Sequence, residues 1–503
     1  MIFPNKFKKY FLLAILSSTN FSFFSYAQSN SSFSSSSGAS SSFDSNAKTN
    51  IKPKSIEKKP SSVPEDLIPE GKLDNTIDVG APGVKKIRMA IPSFVINDKS
   101  VTLSNQDLNL LTKRMSSILG FTNWFEFIPQ DSFPKVANIA LQPFQANQWK
   151  PLKAEYVILG KFTSGSISNK FNFEVRLFDV KSQNQIVGKL YTNLSLKTAD
   201  IALRRFGDVT VGALTGTTGP FMSQIVFVGK KQLNGNGQIY IADFDGGNIK
   251  QITNNNAVNL SPTWTKDGNK ISYTSFKSGR PEIYNYDLIT KQETKIVNNM
   301  PNSSGASWSP DGNTIAFSSS TKEGSTHIFS MNKFGGNKKT LVDTSAIEVE
   351  PAYSPNGKLL AYTSTKFGKP MIFIKNLATE ASTRITYAGW YNASANWTPD
   401  SKTIAFASYD RDIDRWDLFK INADGSNIER LTLNQGDNEK PTWSSDGRFI
   451  LFQSDRTAKG TRNGPKRLFV MTKDGSYQRP LDIPLAEVKQ ATWGPQISDF
   501  EDD

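Results

Sequence analysis

Residues Ala306 to Phe317 read Ala-Ser-Trp-Ser-Pro-Asp-Gly-Asn-Thr-Ile-Ala-Phe. An aromatic precedes a Ser/Pro/Asp/Gly turn, and a short apolar strand follows. The pattern returns around Trp264, Trp308, Tyr353, Trp397, Trp443 and Trp493, at spacings of 44, 45, 44, 46 and 50 residues. A fixed period of this size marks an array of stacked supersecondary units. In turns such as Ser309-Pro310-Asp311-Gly312, Pro presets the second position, Asp hydrogen-bonds locally and Gly takes positive φ. The aromatic ends a first strand. Second strands follow at Ile271, Ile315, Leu360, Ile404 and Ile450, and third strands at Ile283, Ile328, Ile372, Leu418 and Leu468. Further turns such as Asn422-Ala423-Asp424-Gly425 lead to a fourth. Four short strands per period describe one propeller blade.

The ends of the array complement each other. Ile225–Val228, Gln238–Ala242 and Asn248–Thr253 read as strands two to four of a blade that has no first strand, and Ala491–Trp493 reads as a first strand with nothing after it. Joining them gives an all-β six-bladed propeller with permuted, velcro-type closure over residues 217–503, and no orphan sheet edge. An open β-solenoid is the alternative, and it leaves both ends unpaired.

Upstream, Lys6, Lys8 and Lys9 precede an apolar run from Phe11, and Ser25-Tyr26-Ala27 supplies small residues for cleavage, so residues 1–27 read as a secretory signal peptide. Residues 28–72 are a linker: Ser29 to Ser45 holds 11 serines, and a Lys/Pro-rich piece follows. Such a segment buries too little apolar surface to fold. Residues 86–216 form a small α/β domain. Ser104 caps a helix with Leu108, Leu111, Met115, Ile118 and Leu119 on one face and Gly120 as its stop; a second helix, Lys197–Ala213, puts Ala202, Phe206, Val209 and Ala213 on one face.

The formal charge of +13 permits acidic partners. No recognition helix, basic aromatic stripe or zinc spacing points to nucleic acid. The absence of Cys excludes a lipid-modified N-terminal cysteine and a His/Cys zinc site, and one histidine, His327, leaves little for a Ser-His-Asp triad. No Gly-x-Ser-x-Gly elbow is present. We therefore expect no catalytic residues, no metal and no cofactor.

The join Leu214-Thr215-Gly216-Thr217-Thr218-Gly219-Pro220-Phe221, followed by Gln224-Ile225-Val226-Phe227-Val228, resembles that of the TolB family, periplasmic components of the Tol-Pal envelope system. The Trp-Ser-Pro-Asp-Gly repeats and Arg205-Phe206-Gly207-Asp208 are similar too. The resemblance implies a non-enzymatic periplasmic scaffold that supports outer-membrane integrity and invagination during cell division. It implies TolA binding through residues 73–85, with Ile77, Asp78 and Gly80 carried over, and binding of Pal, the peptidoglycan-associated lipoprotein, at the propeller. Other outer-membrane proteins or peptidoglycan are further candidate partners. The protein is expected to be a monomer that does not span the membrane. The alternative is a periplasmic propeller for a glycan or small ligand.

The first strand of each blade is innermost, so the loop entering it rims one mouth of the channel. These loops are 254–260, 298–305, 343–350, 387–394, 434–440 and 482–490. They are rich in Asn, any one of which serves equally as a turn former, and hold two aromatics, Trp390 and Tyr391, read as exposed with half-buried packing as the equal alternative. Aromatics beside adaptable polar groups suit a protein interface. The candidate Pal-type contacts are Thr253, Asn255, Asn256, Ala257, Asn298, Asn302, Ser303, Glu348, Trp390, Tyr391, Asn434 and Asp437. Glu350 and Glu439 lie near the same mouth, without ligand spacing for a cation.

Overall fold

The structure is a computed structural model, and its described residues are 85–135, 139–321, 324–457 and 462–497. The expected signal peptide, the linker and residues 73–84, with Ile77, Asp78 and Gly80, lie outside them.

The α/β domain is a sheet covered on both faces. Its elements are β1 (Ile87–Ala90), β2 (Val95–Ile96), α1 (Asn105–Gly120), β3 (Phe125–Phe127), β4 (Tyr156–Ser164), β5 (Phe171–Asp179), β6 (Gln185–Leu194) and α2 (Leu196–Thr215). The strand order is β3-β1-β4-β5-β6, with β2 on β4. Ser104 caps α1 reciprocally with Asp107: the Asp107 N–H donates to Ser104 Oγ (3.1 Å) and the Ser104 N–H to Asp107 Oδ2 (2.8 Å). The five expected apolar residues of α1 are buried. Gly120 is not its stop. The helix includes it, and Phe121 follows in right-handed geometry. The glycine makes room instead, since a Cβ there would lie 3.4 Å from the Phe127 ring.

The second helix also departs from expectation. Ala213 is exposed and Val209 half-buried, while Ala199, Ala202, Leu203, Phe206 and Leu214 are buried together with the polar Arg204 and Asp208. A single apolar face underestimates burial because α2 is covered twice, by the sheet and by the propeller. Gly216 ends it at φ 77°, as a C-terminal glycine should. The sheet's other face is covered by short 3₁₀ turns between Gln130 and Leu152, with Trp149 at their centre. These turns were not legible, since such turns carry no long periodicity.

The propeller consists of six four-stranded antiparallel sheets. In blade 1 the closing strand Glu487–Gln496 pairs with β7 (Ser223–Lys230), which pairs with β8 (Gln238–Asp243) and then β9 (Lys250–Gln251). Val488 faces Gly229 and Trp493 faces Ile225. The inner strands of blades 2 to 6 are Asn259–Trp264, Ser304–Trp308, Glu348–Tyr353, Tyr391–Trp397 and Asn438–Trp443. The repeat aromatics are core or half-buried. Three of them also donate to the preceding blade: Trp264 Nε1 to Thr492 O (3.2 Å), Trp308 Nε1 to Ser272 Oγ (2.7 Å) and Trp397 Nε1 to Ala352 O (3.0 Å). Three residues before each aromatic the inner strand bulges into left-handed backbone, at Ser261, Gly305, Glu350, Ser394, Lys440 and Gln490.

The α/β domain packs on the turn ends of blades 1 and 6. Phe121 lies 4.9 Å from Phe244 and 5.4 Å from Phe449 in edge contacts, and Trp124 stacks on Phe449. Arg204 is buried between Asp243 (3.0 Å) and Asp200 (3.0 Å). Asp208 accepts from the Phe221 N–H (2.9 Å), the Met222 N–H (3.2 Å) and Gln496 Nε2 (2.6 Å), tying helix, crossover and closing strand together.

Burial pushes the Asp208 carboxyl up to about 7, outweighing those three donors. Between about pH 4 and 7 the unfolded chain has released a proton that the folded protein still holds, so stability falls as pH rises through that window. The slope is at most about 1.4 kcal/mol per pH unit. Urea unfolding at pH 5 and 7 should show a steeper loss for the natural protein than for Asp208→Asn. Parallel losses would mean that Asp208 titrates as an ordinary carboxyl.

Candidate functional site at the propeller mouth

Each inner strand runs from its entry loop to its aromatic, and the α/β domain occupies the aromatic end. The six entry loops therefore surround the opposite mouth. Asn256, Asn298, Asn302 and Asn434 are exposed there. Asn302 and Asn434 adopt φ of 50° and 58°, so part of the Asn richness is turn formation. Asn434 also accepts from Arg415 Nη1 (2.8 Å). The Asn255 side chain is turned inward, accepting from the Ala257 N–H (3.1 Å) and Asn259 Nδ2 (3.1 Å). The Ala257 carbonyl accepts from Gln238 Nε2 (3.0 Å).

Three expected contact residues are structural instead. Thr253, Ser303 and Glu348 are buried. Thr253 Oγ1 donates to Gln238 Oε1 (2.9 Å) and accepts from the Ile239 N–H (2.9 Å). Ser303 Oγ donates to Ser319 Oγ (3.3 Å). Glu348 Oε2 pairs with His327 Nδ1 (2.9 Å), and its other oxygen takes the Thr344 hydroxyl. Burial raises the Glu348 carboxyl, against the pull of Thr344 and His327.

The Glu348–His327 pair belongs to a repeated device. The inner strand of one blade carries a buried polar residue that meets a residue near the start of the third strand in the preceding blade. The pairs are Asn259 with Gln238 (3.1 Å), Glu348 with His327, Asn392 with the Met371 sulfur (2.9 Å) and Asn438 with Asp417 (3.5 Å). Loop polarity alone does not distinguish such staples from solvent-facing groups. The signal that could have separated them is the constant offset of 21 residues.

Tyr391 is also corrected. It is half-buried, with its ring edge-on to Trp416 at 5.1 Å. Burial, with Glu350 and Glu439 nearby, pushes its hydroxyl up. Glu350 accepts from the Ser394 N–H (2.7 Å) and pairs with Lys440 two blades away, bridging part of the channel. Burial would raise its carboxyl, and Lys440 more than offsets this, so it stays below the ordinary value. Glu439 behaves likewise through Lys466, and also accepts from Gln453 Nε2 (3.0 Å). Asp437 is held by Arg462 Nη2 (2.9 Å) and the Trp416 N–H (3.0 Å). The described residues hold no group of three metal-ligating side chains placed for an ion. Trp390 remains exposed on the rim.

The family model of the TolB beta propeller domain matches residues 211–497, and that of the TolB amino-terminal domain matches residues 75–186. The chain belongs to the TolB family. The Tol-Pal system protein TolB of Desulfosudis oleivorans is 32% identical over 214 residues, 41% of this chain, and the match spans about half (47%) of that relative's length. TolB of Bordetella pertussis is 25% identical over 420 residues, 83% of this chain and 90% of the relative. The crystal structure of TolB from Acinetobacter baumannii superposes with a TM-score of 0.70 at 26% identity, covering 82% of this chain and 97% of that one. The expected fold of this TolB-family chain, a six-bladed propeller with an α/β domain before it, is borne out.

Glu348→Ala should lower unfolding free energy by about 2–4 kcal/mol, because it leaves His327 buried without its acceptor. Urea unfolding measures this. Unchanged stability together with weakened partner binding would return Glu348 to the contact surface.

Proposed function

We propose that this TolB-family chain is a non-enzymatic periplasmic scaffold of the Tol-Pal system. It binds the peptidoglycan-associated lipoprotein at the mouth bearing Asn256, Asn298, Asn302 and Trp390, and TolA through residues 73–85. Its role is support of outer-membrane integrity and of invagination during division. The observation that carries the reading is the placement of the α/β domain on the turn ends of blades 1 and 6, which leaves the loop-bearing mouth open on the other end. Kinship with Tol-Pal proteins supports the partner assignment. Among the described residues no helix is long and apolar enough to cross a membrane.

Coupling between the mouth and the α/β domain needs a physical connection. The closing strand supplies one. It begins with Glu487 at the mouth and ends with Gln496 on Asp208 of α2. A ligand at the mouth biases the 73–85 segment only if it binds two arrangements of this connection with different affinity.

Calorimetric titration with the soluble domain of the same organism's Pal should give a saturable one-to-one isotherm. Asn256→Arg with Asn302→Arg should weaken it by about tenfold or more. No heat at several temperatures from a folded sample would overturn the scaffold reading. In a second experiment, deleting residues 28–85 should abolish TolA binding and leave Pal affinity near normal. Equal loss of both would sink the two-site arrangement.

A further inference from the structure

From Trp390 on the mouth's rim outward across blades 4 and 5, three large rings are exposed: Phe367 at 61%, Tyr387 at 72% and Trp390 at 40%. Backbone bonds fix the loops that carry them. The Trp390 N–H donates to Tyr409 O (2.9 Å) and the Asn392 N–H to Pro370 O (2.9 Å), so the 365–370, 384–390 and 409–411 segments form one surface across blades 4 and 5. Each ring is paired with a cation. Lys369 Nζ lies 3.9 Å from the Trp390 centroid and the Arg411 guanidinium 4.7 Å from it. The Arg384 guanidinium lies 4.7 Å from the Tyr387 centroid and 5.8 Å from that of Phe367.

The cations on this surface lack a counter-charge. Elsewhere in the same blades, Lys375 pairs with Glu380, Lys420 with Glu429 and Arg430 with Asp417. Among the described residues, no carboxylate lies within ion-pair distance of Lys369, Arg384 or Arg411. Asp410, beside Arg411 in sequence, accepts from the Asp412 N–H (3.0 Å). A guanidinium that stacks on a ring keeps its N–H edge available, and that edge matches a carboxylate with two parallel bonds. Arg384 uses only its Nε internally, donating to Thr386 O (2.6 Å).

We infer that this patch docks an acidic polypeptide segment, with partner carboxylates completing the three cations and partner side chains covering the rings. Sugar stacking needs a bare ring face, and the cations lie over these rings. The inference does not rest on the Tol-Pal reading, because the surface extends outward from the inner strand to Arg384 on the fourth strand of blade 4.

The purified protein is titrated with a peptide of about twelve alternating Glu and Ser residues, at about 50 mM salt so that charge attraction is not fully screened. The matching Lys/Ser peptide is the control. We expect saturable binding of the Glu peptide alone. The Arg384→Gln/Arg411→Gln variant should bind about tenfold more weakly or worse with an unchanged melting temperature, and Trp390→Leu, which keeps every charge, should also weaken binding. Binding should survive Asn256→Arg with Asn302→Arg. No binding, or equal affinity in the Arg384/Arg411 variant, overturns the proposal. So does tighter binding of soluble peptidoglycan fragments or anionic phospholipid vesicles than of the peptide.

Discussion

Sheets stacked by apolar contact alone can slide, because such contact has no direction. The buried polar pairs between successive blades remove that freedom. Asn259 on Gln238, Glu348 on His327, Asn392 on Met371 and Asn438 on Asp417 each fix one blade against the one before it. The tryptophan indoles at the other end of the inner strands add a second fixed point. In blades 2 and 5 both ends of the inner strand are pinned, at Asn259 and Trp264 and at Asn392 and Trp397. Glu350 and Lys440 meet across the channel from the inner strands of blades 4 and 6, each stapled at its mouth end by Glu348 or Asn438. A slipped register would leave the half-buried Glu350 carboxylate without its ammonium, which adds to the preference for the native register.

Much of this architecture was legible in the chain. The aromatic-turn-apolar repeat sets a blade period, and the unpaired strand pattern at Ile225 is complemented by the one ending at Trp493. Both signals are local and periodic, so one sequence suffices to read them. Helix α1 was legible for the same reason: a capping serine followed by apolar residues at helical spacing. The second helix was read only in part, because Arg204 and Asp208 look like solvent-facing residues until a second domain covers them.

The candidate site was less legible, for a physical reason. An Asn or Thr in a loop serves equally well as a turn former, an interior staple or a contact for a partner. Thr253 and Glu348 proved to be staples, while Asn256 and Asn298 face solvent. Residue type alone does not separate these roles; the 21-residue offset between staple partners is the one trace of them in the chain. The cation-capped rings of blades 4 and 5 were hidden further, since Phe367, Arg384 and Arg411 come from separate segments. Lys366-Phe367-Gly368-Lys369 is the one local hint. The two ends of the propeller thus differ in kind: one is closed by a packed domain, and the other presents side chains to solvent.

The closing strand has a consequence in time. Glu487–Gln496 follows every other strand of the propeller in the chain, so during synthesis or export it arrives after them. Until it does, β7 has a bare edge, and Asp208 lacks the Gln496 amide that links it to blade 1. A prematurely ended chain would therefore show an open sheet edge and an α/β domain missing one of its ties. Proteases and aggregation act on such edges. Arrival of the closing strand is in this way converted into a structural state, and a copy that lacks it is distinguishable from one that has it before it meets any partner.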